Sequence, residues 1–349
     1  MSTLKNVLAP PRYGFDVFPS AREIVSEFFF RLNVFRTRKN WLAAFSWTTT
    51  LLFAVPLAVF LVKYFSWKLV VAGFLYSMVG LGSHGTFYLH RYATHRAFRF
   101  SHPVWRFVCK NLVIKIVPEE AYVISHHVHH RYSEEAGDPY NAKAGWLYCF
   151  LADVNHQGIA QDMSAPAYER VKRLMNHCGV KLNTYAQYNE WGSLCHPAYA
   201  FLSYSLNWIF WYGVFFLLGG HALATALFGS AFVWAIGVRT FNFAGHGGGK
   251  DRRRAGVDFY TKDHSINQVW PGFVAGEWHN NHHCYPNGAR SGFLRYQLDL
   301  PWMLIRAVHA LGGIESYRDY KAEFVEKQLN PYLEACVSER LSRRPRPEA

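Results

Sequence analysis

Three short stretches concentrate side chains that bind metal ions: His90-Arg-Tyr-Ala-Thr-His95, His126-His-Val-His129-His130 and His279-Asn-Asn-His282-His283. Neutral imidazole is a common metal ligand near neutral pH. On a helix, positions i, i+3 and i+4 share one face. His126, His129 and His130 can therefore point three rings at one place, and His279, His282 and His283 repeat that spacing. His90 and His95 are five apart and would splay by about 140° on a regular helix. Either the helix unwinds there or the two serve different metals. Eight candidate ligands exceed the need of one zinc, which takes about three or four. They suit two ions of higher coordination number, and imidazole accepts iron as well as zinc.

Long apolar stretches must position these clusters. Trp41 to Val62 is 22 residues without a formal charge, about 33 Å as a helix and enough to cross a bilayer. Leu69 to Leu89 follows, interrupted only by His84. A third uncharged run, Trp191 to Val238, is too long for one crossing. Gly219-Gly220-His221 is its natural turn, giving Pro197–Leu218 and Ala222–Val238 as separate spans. Pro103 to Pro118 is apolar but carries Arg106, Lys110 and Lys115, which suits a helix lying in the membrane interface. The first 20 residues lack the apolar core of a signal peptide, so no cleavage is expected there.

Charge placement orients this bundle. Arg31, Arg36, Arg38 and Lys39 precede the first span, Arg91, Arg96 and Arg99 follow the second, and Arg239, Lys250, Arg252, Arg253 and Arg254 follow the fourth. The two other links offer only Lys63 and Lys68. The positive-inside rule puts both termini and the large blocks in the cytoplasm. Most of the net charge of +13 is then topology, and nucleic-acid binding loses its support. The six cysteines are scattered with no Cys-x-x-Cys pair, as expected of reduced thiols. The expected organisation is a cytoplasmic segment 1–40, a transmembrane hairpin 41–89, a cytoplasmic block 90–196 and a second hairpin 197–238. A second cytoplasmic block, 239–337, and a disordered tail, 338–349, complete it. The fold class expected is an all-α membrane protein of four helices in two hairpins with a cytoplasmic helical cap over the histidines.

With these motifs in view, the sequence from about residue 40 to 295 resembles the integral-membrane fatty acid desaturases, within them the acyl-CoA desaturase type. Beyond the three boxes the likeness includes His130-Arg-Tyr-Ser with Asp138-Pro-Tyr-Asn141, Gly276-Glu-Trp before the third box with Tyr285-Pro286 behind it, and Asn242-Phe-Ala-Gly-His246. The resemblance implies a non-haem di-iron centre with His90, His95, His126, His129, His130, His246, His279, His282 and His283 as ligands, and Asn242 approaching through water. It implies an enzyme that uses dioxygen and two external electrons to place a cis double bond in a fatty acyl chain. There is no dinucleotide fingerprint and no His-Pro-Gly-Gly signature of a fused haem domain. Electrons are expected from a separate donor: a ferredoxin, a rubredoxin, or a b-type cytochrome with a reductase. The acyl group is expected on CoA, a carrier protein, a lipid or nothing, and the membrane to be a bacterial inner membrane in preference to endoplasmic reticulum.

The sequence departs from the family pattern in places. Gly276-Glu277 runs straight into Trp278 where relatives commonly carry a further glycine, His127 fills a slot often held by Arg, and Gly247-Gly248-Gly249 replaces bulkier residues. Asp138, Glu134, Glu135 and Glu277 are candidates for orienting imidazoles. Lys250, Arg252, Arg253 and Arg254 are candidates for holding a phosphate-bearing substrate headgroup. Rival readings on the same scaffold are a decarboxylase making terminal alkenes and a hydroxylase. A rival of another class is a histidine-rich membrane metal transporter, which should place its ligands near mid-bilayer.

Overall fold

The computed structural model describes residues 7–14, 18–155, 158–270 and 277–342. It is mostly helical. After a peripheral helix α1 (Ala21–Leu32), opened by a Ser20–Glu23 capping box, come two helices long and apolar enough to cross a membrane: α2 (Arg38–Tyr64) and α3 (Trp67–Thr94). A short strand β1 (Phe98–Phe100) leads to α4 (Pro103–Lys110) and to α5 (Glu119–Tyr132), which carries the second histidine cluster. The third membrane-length helix, α6 (Pro197–Gly245), is followed by α7 (His279–Cys284), α8 (Leu300–Ala310), β2 (Ile314–Tyr317) and α9 (Asn330–Ser342).

α6 is not straight. Gly219 leaves the helical region and Gly220 is left-handed, with φ 65°. Rings on either side of the break meet: Tyr212 and Phe228 have centroids 5.5 Å apart, and the Tyr212 hydroxyl lies 2.9 Å from His221 Nδ1. Sixteen residues of unbroken helix would separate Tyr212 from Phe228 by about 24 Å. The two halves therefore fold back on each other at the glycine pair expected from sequence. The second half also closes on α2. A Cβ placed on Gly229 would lie 2.7 Å from the Leu57 Cα, so only glycine permits this approach.

α3 runs five residues past the expected end at Leu89 by changing its winding. Residues Gly85–Thr94 form a π-helix, and the His95 N–H donates to the His90 carbonyl at 3.0 Å. Turns of i to i+5 bring residues five apart to nearly the same side. The helix thus unwinds at the first cluster, the first of the two possibilities the spacing left open.

The helical class expected from sequence holds, with one small addition and two corrections. The addition is a two-stranded ribbon: β1 and β2 pair antiparallel, Phe98 opposite Tyr317, with a bulge between Arg99 and Phe100. Strands of three and four residues are too short to show an alternating pattern. The interfacial helix is shorter than Pro103–Pro118, ending at Lys110. Beyond it the backbone is held by side chains of α3 and α6, with Tyr76 Oη accepting from Ile114 N–H and Asn207 Oδ1 from Lys115 N–H. Lys110 and Lys115 do not sit at a lipid surface; both are buried, 3.2 and 3.4 Å from Glu119. Finally, α9 continues to Ser342, so residues 338–342 are helical. Residues 343–349 and His156 lie outside the described residues.

Candidate metal centre

The boxes do not each serve one place. His90, His95, His126, His130 and His282 form one group, and His129, His246, His279 and His283 a second. The i and i+4 members of α5 enter the first group while its i+3 member, His129, enters the second. α7 does the reverse: His279 and His283 go to the second group and His282 crosses to the first. The expectation that each box aims three rings at one point is thereby corrected. Two helices facing each other interleave their rings, because a 3.6-residue period separates i+3 from i+4 by about 100°.

The nitrogens are close. His90 Nε2 lies 2.7 Å from His126 Nε2, His130 Nε2 3.1 Å from His126 Nε2, and His282 Nε2 2.8 Å from His130 Nε2. In the second group His279 Nε2 is 3.0 Å from His246 Nε2. The opposite ring nitrogens face carboxylates. Nδ1–H of His90 donates to Glu277 at 3.0 Å, of His129 to Asp138 at 2.9 Å, of His246 to Glu134 at 3.0 Å and of His283 to Asp263 at 2.7 Å. A carboxylate on Nδ1 fixes the tautomer and leaves an Nε2 lone pair facing inward, the usual arrangement around a bound metal. The Nε2 atoms of His95, His129 and His283 are buried without a hydrogen-bond partner.

Lone pairs this close repel unless a cation lies among them or rings are protonated. Protonation is disfavoured. Burial first, and neighbouring imidazoles second, hold His95, His126, His130, His279 and His282 well below the ordinary histidine range; burial also takes His283 down to about 4, outweighing the upward pull of Asp263. His129 goes the other way: burial works to lower it, but Asp138 overcomes that. Asp263 is held well below the carboxylate range; burial opposes this and His283 outweighs it. The donor set fits two metal ions.

Asp138, Glu134 and Glu277 do what sequence suggested, whereas Glu135 is exposed and touches none of these rings. Asp263 was missed, and nothing in its spacing from His283 signals it. Asp263→Asn is expected to weaken metal binding at the second group by about 10–100-fold, read by metal titration, with the first group unaffected. An unchanged affinity would remove Asp263 from the centre. Gly247, Gly248 and Gly249 all have left-handed φ, 63°, 66° and 79°, and turn the chain away directly after His246. His127 joins neither group. Two other histidines are helix caps: Nδ1 of His102 and of His196 each accept a backbone N–H before a proline-led first turn.

A cavity of about 140 Å³ opens beside the centre, bounded by His90, His126, His279 and Asn242 and walled by Leu89, Ile116, Val117, Phe150, Trp234 and Phe241. Lys250, Arg252, Arg253 and Arg254 are not among its lining residues. Arg253 pairs with Asp251 at 2.7 Å, and Arg254 with Asp258 at 3.4 Å and with the Asn267 carbonyl.

Fold and site define a helical membrane protein whose clustered imidazoles, fit to hold metal, border an apolar cavity. Comparison with known proteins narrows this. The family model for fatty acid desaturases matches residues 65–325, about three-quarters of the chain, and the chain belongs to that family. It is an oxidoreductase of lipid metabolism. It is 28% identical over 280 residues to the sn-1 stearoyl-lipid 9-desaturase of Synechocystis, covering 76% of this chain and 78% of that one. It is 29% identical to the Delta-9 acyl-lipid desaturase 2 of Arabidopsis thaliana, covering 71% and 74%. It is 26% identical to the icosanoyl-CoA 5-desaturase of Limnanthes douglasii, covering 75% and 69%.

Proposed function

We propose that this desaturase holds two iron ions, one in each histidine group, and introduces a cis double bond into a fatty acyl chain lying in the adjacent cavity. The observation that carries the reading is the interleaving of two imidazole sets, each backed by carboxylates, against an apolar wall. His90, His95, His126, His130 and His282 would hold one ion and His129, His246, His279 and His283 the other, with Asn242 reaching the site through water. Iron supplies dioxygen chemistry strong enough for an unactivated C–H bond, for which acids and bases have no foothold. The chain's residues do the rest. Glu277, Asp138, Glu134 and Asp263 orient the rings, and Leu89, Ile116, Val117 and Trp234 exclude water and hold the methylenes. The relatives' names differ in carrier, lipid or CoA, and in position, 9 or 5, so neither feature transfers by likeness alone. Electrons come from a separate ferredoxin, rubredoxin or b-type cytochrome.

The test is direct. Purified protein is expected to carry two irons per chain, and lipids of an expressing host to gain a monounsaturated acyl product by gas chromatography–mass spectrometry. One zinc per chain with full activity after iron chelation overturns the metal assignment. Terminal alkenes or hydroxy acids as the product replace desaturation with the decarboxylase or hydroxylase reading.

The topology we infer has four crossings, α2, α3 and the two halves of α6, with both termini and the blocks 90–196 and 239–337 cytoplasmic, in a bacterial inner membrane. The asymmetry of Lys and Arg supports it. Ala255 is exposed next to Arg254. With Cys284 and Cys336 changed to serine, an Ala255→Cys protein is expected to react with an impermeant maleimide only after cells are permeabilised. Reaction in intact cells inverts the orientation.

A further inference from the structure

Besides Glu277, which orients His90, the wall of the cavity beside the histidines carries one pair of opposite charges. Arg239 and Asp153 both line it and form an ion pair. The Arg239 side chain is 9% exposed. Its guanidinium lies 4.3 Å from the centroid of the Trp47 ring, and Nη2 reaches Thr50 Oγ1 at 3.4 Å. Trp47 Nε1 in turn donates to Asp153 at 3.3 Å. The buried Nε of Arg239 has no hydrogen-bond partner. Guanidinium is an obligate donor, and a buried N–H left unused is costly. An unused donor in the wall of a mostly apolar cavity calls for an acceptor from the ligand.

Charge selects that acceptor. Asp153 already neutralises Arg239, so a carboxylate entering here would set a second anion beside Asp153 in a low-dielectric pocket. A neutral carbonyl oxygen can take the Nε–H without disturbing the pair. Position completes the argument. Arg239 precedes His246 by seven residues on one helical run, about 10 Å of rise. A chain anchored at Arg239 therefore extends along Phe241 and Asn242 toward the metals. We propose that Arg239, held in place by Asp153, binds the carbonyl oxygen of an esterified fatty acyl group, ester or thioester, and so sets which methylene lies at the histidine centre. The proposal deepens the desaturase reading and rests on it for the identity of the chain.

Equilibrium binding of radiolabelled methyl stearate, stearate and octadecane to the purified full-length protein tests it without turnover. Wild type is expected to bind methyl stearate about tenfold more tightly than octadecane, one good hydrogen bond, and more tightly than stearate. Arg239→Met is expected to abolish the ester preference while octadecane binding stays within about twofold, and to spread the position of the double bond in the products. Asp153→Asn, which leaves the cation unneutralised, is expected to raise stearate affinity by about tenfold. A charge-swapped pair, Arg239→Asp with Asp153→Arg, is expected to keep the melting temperature and lose the ester preference, which a purely structural ion pair would not. Equal binding of ester and hydrocarbon by wild type overturns the proposal, as does a preference for stearate or an ester preference that survives in Arg239→Met. Failure of the desaturase reading shows separately, as absent iron or a saturated product, with the binding preference intact.

Discussion

His282→Ala is expected to leave one iron per chain and no detectable turnover, and the iron lost should be the one shared with His90, His95, His126 and His130. His129→Ala is expected to leave one iron as well, but the other one. Interleaving makes these outcomes specific. If each box served its own ion, His279, His282 and His283 would fall together. Instead, His282 belongs with the α5 pair His126 and His130, while His279 and His283 belong with His129 and His246. Metal analysis with Mössbauer spectroscopy on the single variants separates the patterns, since each surviving iron keeps its own ligand field. Loss of the same ion in His282→Ala and His283→Ala would dismiss the interleaved assignment. Activity falls in both because paired-metal chemistry needs both ions, so only the spectroscopy discriminates.

The same geometry shows what was legible in the sequence. Spacing of i, i+3 and i+4 places rings on one side of a helix, and that much followed from residues alone. Which ring serves which ion depends on what the helix faces, and α7 meets α5 only through chain brought together from more than a hundred residues apart. The first cluster was ambiguous for a local reason: His90 and His95 converge only because residues Gly85–Thr94 wind as a π-helix, and periodicity arguments assume 3.6 residues per turn. The break in α6 was visible because two adjacent glycines interrupt an overlong apolar run. Asp263 and the Arg239–Asp153 pair were not, since a lone carboxylate or arginine carries no period. The basic residues after His246 attracted a headgroup role by proximity in sequence, yet two of them are paired within their own loop. Proximity along the chain is a weak guide once the chain turns, and the three left-handed glycines after His246 turn it at once.

Gly245 supplies the sharpest remaining test, because two effects of one methyl group point in opposite directions. Gly245 ends a short helix, Phe241–Gly245, within the α6 run, where alanine is intrinsically preferred by up to about 1 kcal/mol. A Cβ there would lie 2.9 Å from Cδ2 of His279 and 3.3 Å from its Nε2. His279 is 2% exposed, with Phe241 5.3 Å away and His283 4.4 Å away between ring centroids, so the ring has nowhere to retreat. The imidazole must tilt, and a ligand nitrogen displaced by a few tenths of an ångström no longer meets its metal in line. Helix propensity acts on the whole fold, whereas the clash acts only on the second group. Gly245→Ala is therefore expected to melt within a few degrees of wild type as the metal-free protein, yet to bind iron at the second group at least about tenfold more weakly. The first group should be untouched and turnover should fall in step with the lost ion. Calorimetry of the metal-free protein and iron titration separate the two effects. Wild-type affinity at both groups would mean that His279 has room to move and does not hold metal in the position assigned to it.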